Sequence, residues 1–224
     1  MIFPGLMADS FHTRIKICCI SSVEEALLAI RHGADALGLV SAMPSGPGVI
    51  SADRIAEIAL HVPPSVASFL LTSEQDVGRI VAQQRHSKVN TLQLVDRHSN
   101  QDIQELRSNL PGVAIVQVVH VTGPEAVQEA IRVAPLVDGI LLDSGDPSAT
   151  IKELGGTGRT HDWNLSRQIV AGVPVSVYLA GGLNPGNVGR AIREVRPFGV
   201  DVCSGVRKNG QLDEESLGAF VSEV

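Results

Sequence analysis

Aromatic residues are scarce: 3% of the 224-residue chain, with one Trp, one Tyr and five Phe. That leaves few rings on which single-stranded nucleic acid could stack. Basic residues form no run, and Lys plus Arg (18) are outnumbered by Asp plus Glu (24), which argues against a surface for polyanions or anionic membranes. No apolar stretch approaches the roughly 18 residues that a membrane helix needs. The opening MIFPGLMADSFH lacks the basic segment followed by an apolar one that marks a secretory signal. Cysteine is confined to Cys18, Cys19 and Cys203, too few and too clustered for a disulfide framework. Neighbouring residues on a strand point to opposite faces, so Cys18 and Cys19 are poor joint metal ligands, and no Cys-x-x-Cys or His-x-x-x-His spacing compensates. With 44% hydrophobic and 19% charged residues, the chain can bury a large core. These features predict a soluble cytoplasmic protein with no metal, no nucleic-acid partner and no membrane partner.

What is present is one alternation that runs the whole length. Short apolar runs, RIKICCI from Arg14, ALGLV from Ala36, VASFLL from Val66 and TLQLV from Thr91, are each followed by an amphipathic helical pattern. The rhythm repeats with VAIVQVV from Val113, VDGILL from Val137, PVSVYLA from Pro174 and GVDVCSG from Gly199. Helix starts are marked by Ser22 with Glu25 as a capping-box pair, and by Ser51, Ser73, Ser99, Pro124, Asp162, Asn184-Pro185 and Asp213. Near-continuous apolar strands are what a parallel sheet buried on both faces requires. Eight strand–helix units in this length predict a single α/β domain, a (β/α)8 TIM barrel over residues 14–224, preceded by an extension of residues 1–13. A doubly wound open sheet also alternates, but it calls for a glycine-rich loop after the first strand, where this chain has Cys19-Ile20-Ser21.

In such barrels the loops after the strands carry the chemistry. Three glycine-bearing segments fall there: Gly155-Gly156-Thr157-Gly158 after the sixth strand, Gly181-Gly182 after the seventh and Ser204-Gly205 after the eighth. Turns of this kind let backbone N–H groups approach a phosphate, although any one of them could be an ordinary turn. Cys18 and Asp143 stand at strand ends as a candidate general base and general acid. A buried Cys is also an ordinary core residue, and an Asp can simply brace a loop.

The segments KICCI, GADALGLV, DGILLDS, GGTGRTHDW, LAGGLNPGNV and VRPFGVDVCSGV resemble, in order and over nearly the whole chain from Arg14, the phosphoribosylanthranilate isomerase family. The resemblance implies a barrel of tryptophan biosynthesis that catalyses an Amadori rearrangement without a cofactor. It makes Cys18 the general base at sugar C2 and Asp143 the general acid at the ring oxygen. It assigns phosphate to the backbone around Gly181, Gly182, Ser204 and Gly205, with Asp201 helping to hold that region. The partner it implies is a phosphorylated small molecule, bound by a monomer or a homodimer.

The departures from the family pattern are selective. Cys19 stands where the family has Gly after the base. The loop SAMPSGPGVIS (41–51) carries no basic residue where the family has an Arg for the anthranilate carboxylate. Val95-Asp96 replaces His-Gly after the fourth strand, and His120 stands where the family commonly has Gly. Loss of a bidentate Arg weakens carboxylate recognition by roughly 1.5–3 kcal/mol, leaving Arg159 and His120 as candidate substrate-binding residues. On that basis we expect weak turnover of phosphoribosylanthranilate or preference for an analogue, and an Arg at position 48 should restore the clamp. The competing readings are a divergent isomerase for another phosphorylated aldosylamine and a phosphosugar-binding barrel without catalysis.

Overall fold

The computed structural model describes residues 12–44, 46–145 and 160–224. Eight parallel strands close into a barrel in chain order, with β8 returning to pair with β1. The units are β1 (Arg14–Ile17) with α1 (Val23–Arg31), β2 (Ala36–Val40) with α2 (Ala52–Leu60), β3 (Ala67–Thr72) with α3 (Val77–Ser87), and β4 (Thr91–Leu94) with α4 (Asn100–Asn109). They continue with β5 (Ala114–His120) and α5 (Glu125–Val133), β6 (Gly139–Asp143) and α6 (Trp163–Gly172), β7 (Ser176–Leu179) and α7 (Val188–Val195), then β8 (Gly199–Val202). Between β8 and the last helix, α8 (Glu214–Ser222), lie a 3-10 turn at Ser204–Val206 and a two-stranded ribbon, β9 (Arg207–Lys208) and β10 (Gln211–Leu212).

The period-2 side-chain alternation of the strands divides the apolar residues into two layers. Ile15, Ile17, Leu37, Leu39, Leu92, Ile140, Leu142 and Val200 point outward and pack against the helices in the larger cluster. Each such side chain stabilises the fold by about 1.5–3 kcal/mol relative to exposure. Ala36, Val40, Phe69, Leu71, Val116, Val118 and Leu141 fill the barrel interior together with Cys18 and Ala180. This two-sided burial is why the strands read as unbroken apolar runs.

Ser51, Ser99, Asp162 and Asp213 cap their helices as the sequence predicts. Three starts differ. Ser22 accepts from the Glu25 N–H, but the Glu25 carboxylate turns to Ser21, Arg207 and the Leu212 N–H, so the box is not reciprocal. The reciprocal box forms at Ser99 and Asp102. Helix α3 is capped by Asp76 and not Ser73, because Thr72 and the Glu74 carboxylate hold residues 74–76 in a turn first. Asn184 forms a turn with Gly186 and Asn187, and α7 begins only at Val188.

The cysteine reading is corrected outright. Cys19 and Cys203 form a disulfide across a sequence separation of 184. Closure of the barrel explains it: Ile17 registers with Val202, and the Cys18 N–H donates to the Val202 carbonyl at 2.8 Å. That brings the chain just past β1, where Cys19 lies two residues beyond Ile17, against Cys203 just past β8, which spacing along the chain does not reveal.

Candidate active site

Barrel closure brings the carboxyl ends of all eight strands around one mouth. A cavity of about 660 Å³, counting its open entrance, lies there, lined by Cys18, Asp143, Gly181, Gly182, Asp201 and Ser204 with the Cys19–Cys203 disulfide. Val40, Leu71, Val95 and Leu141 form apolar walls, and Met43, Gly46 and Pro47 form one rim.

Cys18 is the chain's free thiol. Burial pushes it up to about 11; the Lys16 ammonium pulls it back, and the Asp201 and Asp143 carboxylates push it further up. Burial also raises the Asp143 carboxyl, against hydrogen bonding from the Ser144 N–H and the neighbouring charge of His120. A carboxyl that keeps its proton can donate it, and a thiol that must lose its proton can act as a base only through a minor ionised form. The end of β1 is braced by a nearly buried ion pair. Arg207 contacts the Cys19 carbonyl and pairs with Glu25 at 2.9 Å, while Glu25 accepts from the Ser21 and Leu212 N–H groups.

The glycine turns have a defined geometry. Gly181 and Gly182 sit at φ +82° and +63°, where an L side chain is strained. The Gly182 carbonyl is held by the Asn184 and Asn187 amides at 3.2 and 3.0 Å. Gly205 does not line the cavity itself; a Cβ there would run into the Leu183 carbonyl and Asn184, so any side chain would push the turns after β7 and β8 apart. His161, kept neutral because burial drops it to about 4, packs beside Gly181 and bonds Ser166 at 2.7 Å.

His120 is in register with Asp143, yet its Nε2 donates to the Val95 carbonyl at 3.0 Å. It lines a separate cleft with Arg97, Glu125, Glu129 and Arg132. Arg159 and the Gly155–Gly158 segment lie outside the described residues. The 41–51 loop supplies Met43, Gly46 and Pro47 to the rim, and the expectation for position 48 fails. Gly48 has φ +78°, and a Cβ there would stand 2.5 Å from the Cys19 Cβ, so an Arg cannot be accommodated without displacing the disulfide.

Sequence reasoning missed three features: the disulfide, His161 and Lys16. Lys16 is fully buried and pairs with Asp201 at 2.8 Å. Its spacing of two from Cys18 on one strand was the available signal, since i and i+2 share a face. Among the described residues, no group of three or more His, Cys, Asp or Glu is placed to hold a metal ion, and no helix is long and apolar enough to cross a membrane.

Comparison with known proteins agrees with this geometry. The profile of the N-(5'-phosphoribosyl)anthranilate (PRA) isomerase family matches residues 15–223. An N-(5'-phosphoribosyl)anthranilate isomerase of Methanocella arvoryzae is 37% identical over 95% of this chain and 98% of its own. The crystal structure of phosphoribosyl anthranilate isomerase from Thermotoga maritima superposes with a TM-score of 0.82 at 30% identity, covering 95% of this chain and 98% of that one. A phosphoribosyl anthranilate isomerase in complex with reduced 1-(o-carboxyphenylamino)-1-deoxyribulose 5-phosphate gives a TM-score of 0.79 at 28% identity, with the same coverage. The chain belongs to the N-(5'-phosphoribosyl)anthranilate isomerase family.

Proposed function

We propose that this protein converts N-(5'-phosphoribosyl)anthranilate into the 1-deoxyribulose 5-phosphate product by an Amadori rearrangement in tryptophan biosynthesis. It acts as a cytoplasmic enzyme without a cofactor, through a domain spanning residues 14–224. The observation that carries the reading is the meeting of Cys18 and Asp143 in one cavity beside the glycine turns after β7 and β8. The Asp143 carboxyl gives its proton to the furanose ring oxygen. The C1–oxygen bond breaks, and the amine lone pair forms the C1=N iminium. The Cys18 thiolate then removes the C2 proton, and that electron pair forms the C1=C2 bond as the iminium nitrogen recovers its lone pair. The resulting enol tautomerises to the ketose. The two protons lie on different atoms of the sugar, so the reaction calls for two groups of opposite role.

The productive state is thiolate with carboxylic acid, although a thiol is ordinarily the weaker acid of such a pair. One proton is shared by the pair, and activity vanishes when both groups are protonated or both are ionised. The pH profile of kcat/KM is therefore a plateau, bounded below by Asp143 and above by Cys18. The substrate phosphate sits against the Gly181–Gly182 and Ser204–Gly205 turns. In this reading Asp201 supports the site through Lys16, and Arg159 is what remains to meet the anthranilate carboxylate, since His120 faces the separate cleft. Steady-state turnover of N-(5'-phosphoribosyl)anthranilate by the purified protein tests the reading. Product formation supports it, and binding of the substrate without turnover would replace it with a phosphosugar-binding barrel.

A further inference from the structure

Behind two of the cavity's lining residues, Cys18 and Asp201, lies a charge that the reaction does not consume. The Lys16 side chain has 0% exposure, its Nζ lies 2.8 Å from Asp201 Oδ1, and it stands over the Phe69 ring at 5.1 Å from the centroid. Lys16 and Cys18 alternate onto the same inward face of β1. Both reach towards one glycine of the neighbouring strand. A Cβ on Gly38 would lie 2.9 Å from Cys18 Sγ and 3.2 Å from Lys16 Nζ, so the sulfur and the ammonium are separated by no more than those two lengths together. The missing side chain at Gly38 is what gives both atoms room.

Stability does not account for this arrangement. A buried ion pair recovers its desolvation only with good geometry, and apolar residues of similar volume commonly do as well. The other charges facing the sulfur are Asp201 on β8 and Asp143 on β6, with His120 beside Asp143 and the Tyr178 phenol of β7 near Lys16. Arg207 reaches the Cys18 carbonyl and not its sulfur. Lys16 is thus the cation set against two carboxylates around the thiol. Burial opposes its charge, but Asp201 and the facing Cys18 sulfur outweigh burial and hold the ammonium above the ordinary lysine range.

We propose that Lys16 is a positioning residue: its ammonium, locked by Asp201 beneath the Cys18 sulfur, sets the fraction of enzyme that carries the reactive thiolate. The kinetic part of this inference rests on the isomerase reading, whereas the thiol part does not. Because Asp143 must stay protonated while Cys18 ionises, each rise in the thiol pKa lowers the productive fraction across the plateau by the same factor. At pH above the upper limb that fraction depends on Asp143 alone.

With Cys19 and Cys203 paired, a small haloacetamide reports on Cys18 alone, and alkylation is followed by mass spectrometry from pH 6 to 11. Lys16→Met should slow alkylation near pH 8 on the order of tenfold, in line with a charge within about 4–6 Å. Its kcat/KM for N-(5'-phosphoribosyl)anthranilate should fall on the plateau by a smaller factor, because Lys16 also draws the Asp143 carboxyl down, and should not fall above the upper limb. Lys16→Arg should restore most of both. If Lys16→Met does not fold, the Lys16→Met/Asp201→Asn variant removes both buried charges. Its alkylation near pH 8 should be slower than that of the wild type, and alkylation as fast or faster would overturn the proposal. Unchanged alkylation in folded Lys16→Met overturns it equally, as does a uniform loss of kcat/KM at every pH. Failure of the wild type to turn over substrate would instead sink the isomerase reading, with the alkylation result still standing.

Discussion

The disulfide at the barrel mouth sets two opposing energies on one residue. Cys19 holds φ +62°, a left-handed conformation that an L side chain adopts at an expense of about 1 kcal/mol, whereas Gly adopts it freely. The Cys19–Cys203 link spans a sequence separation of 184 and constrains the unfolded chain; such links typically contribute roughly 2–4 kcal/mol. Cys203→Ser removes the link and leaves the strained backbone in place. A protein of this size loses about 2–4 °C of Tm per kcal/mol, so its Tm should fall by roughly 4–16 °C. Cys19→Gly removes the same link but relieves the backbone, so it should melt about 2–4 °C above Cys203→Ser. Differential scanning calorimetry with and without dithiothreitol measures all three proteins. Reductant should bring the wild type to the level of Cys203→Ser and leave both variants unmoved. A wild-type Tm indifferent to reductant, or a Cys19→Gly variant less stable than Cys203→Ser, would refute the reasoning.

Three further outcomes follow from the geometry. Arg207, hydrogen bonding and the neighbouring N–H groups hold the Glu25 carboxyl below its ordinary range despite burial; its contribution is present above the unfolded carboxylate pKa and is lost as pH falls through the folded value. Glu25→Gln should flatten the acid limb of a stability-against-pH curve, and an unchanged acid limb would exclude Glu25 as its source. Gly205→Ala drives a Cβ into the Leu183 carbonyl, so KM for the phosphorylated substrate should rise on the order of tenfold with a smaller change in kcat, and an unchanged KM would show that phosphate does not depend on those turns. Met43 lines the uncharged rim, and Met43→Arg should lower KM for N-(5'-phosphoribosyl)anthranilate by up to about tenfold; a raised KM would mean that the carboxylate is met elsewhere.

The barrel was legible because its evidence is local and periodic. Runs such as ALGLV and DGILLDS carry the double burial of a parallel strand, and Ser51, Ser99, Asp162 and Asp213 mark helix starts by capping chemistry. Cys18 and Asp143 were legible from strand-end position and from family resemblance together. The unread parts depend on closure. Cys19 and Cys203 are neighbours only because β8 returns to β1, and Lys16 meets Asp201 across that same seam at a separation of 185 residues. Position 48 misled for a related reason: the sequence shows a free glycine, and the fold puts the Cys19 side chain against it.

The central claim is that Cys18 and Asp143 act as base and acid on N-(5'-phosphoribosyl)anthranilate. The most direct measurement is the pH profile of kcat/KM for that substrate in the wild type, Cys18→Ser and Asp143→Asn, with folding of each checked by circular dichroism. The account predicts wild-type turnover with a plateau between two limbs, and a loss of at least about 10²-fold in each folded variant, the scale of general acid–base catalysis. Near-normal turnover by both variants, or a wild-type profile without either limb, would contradict it.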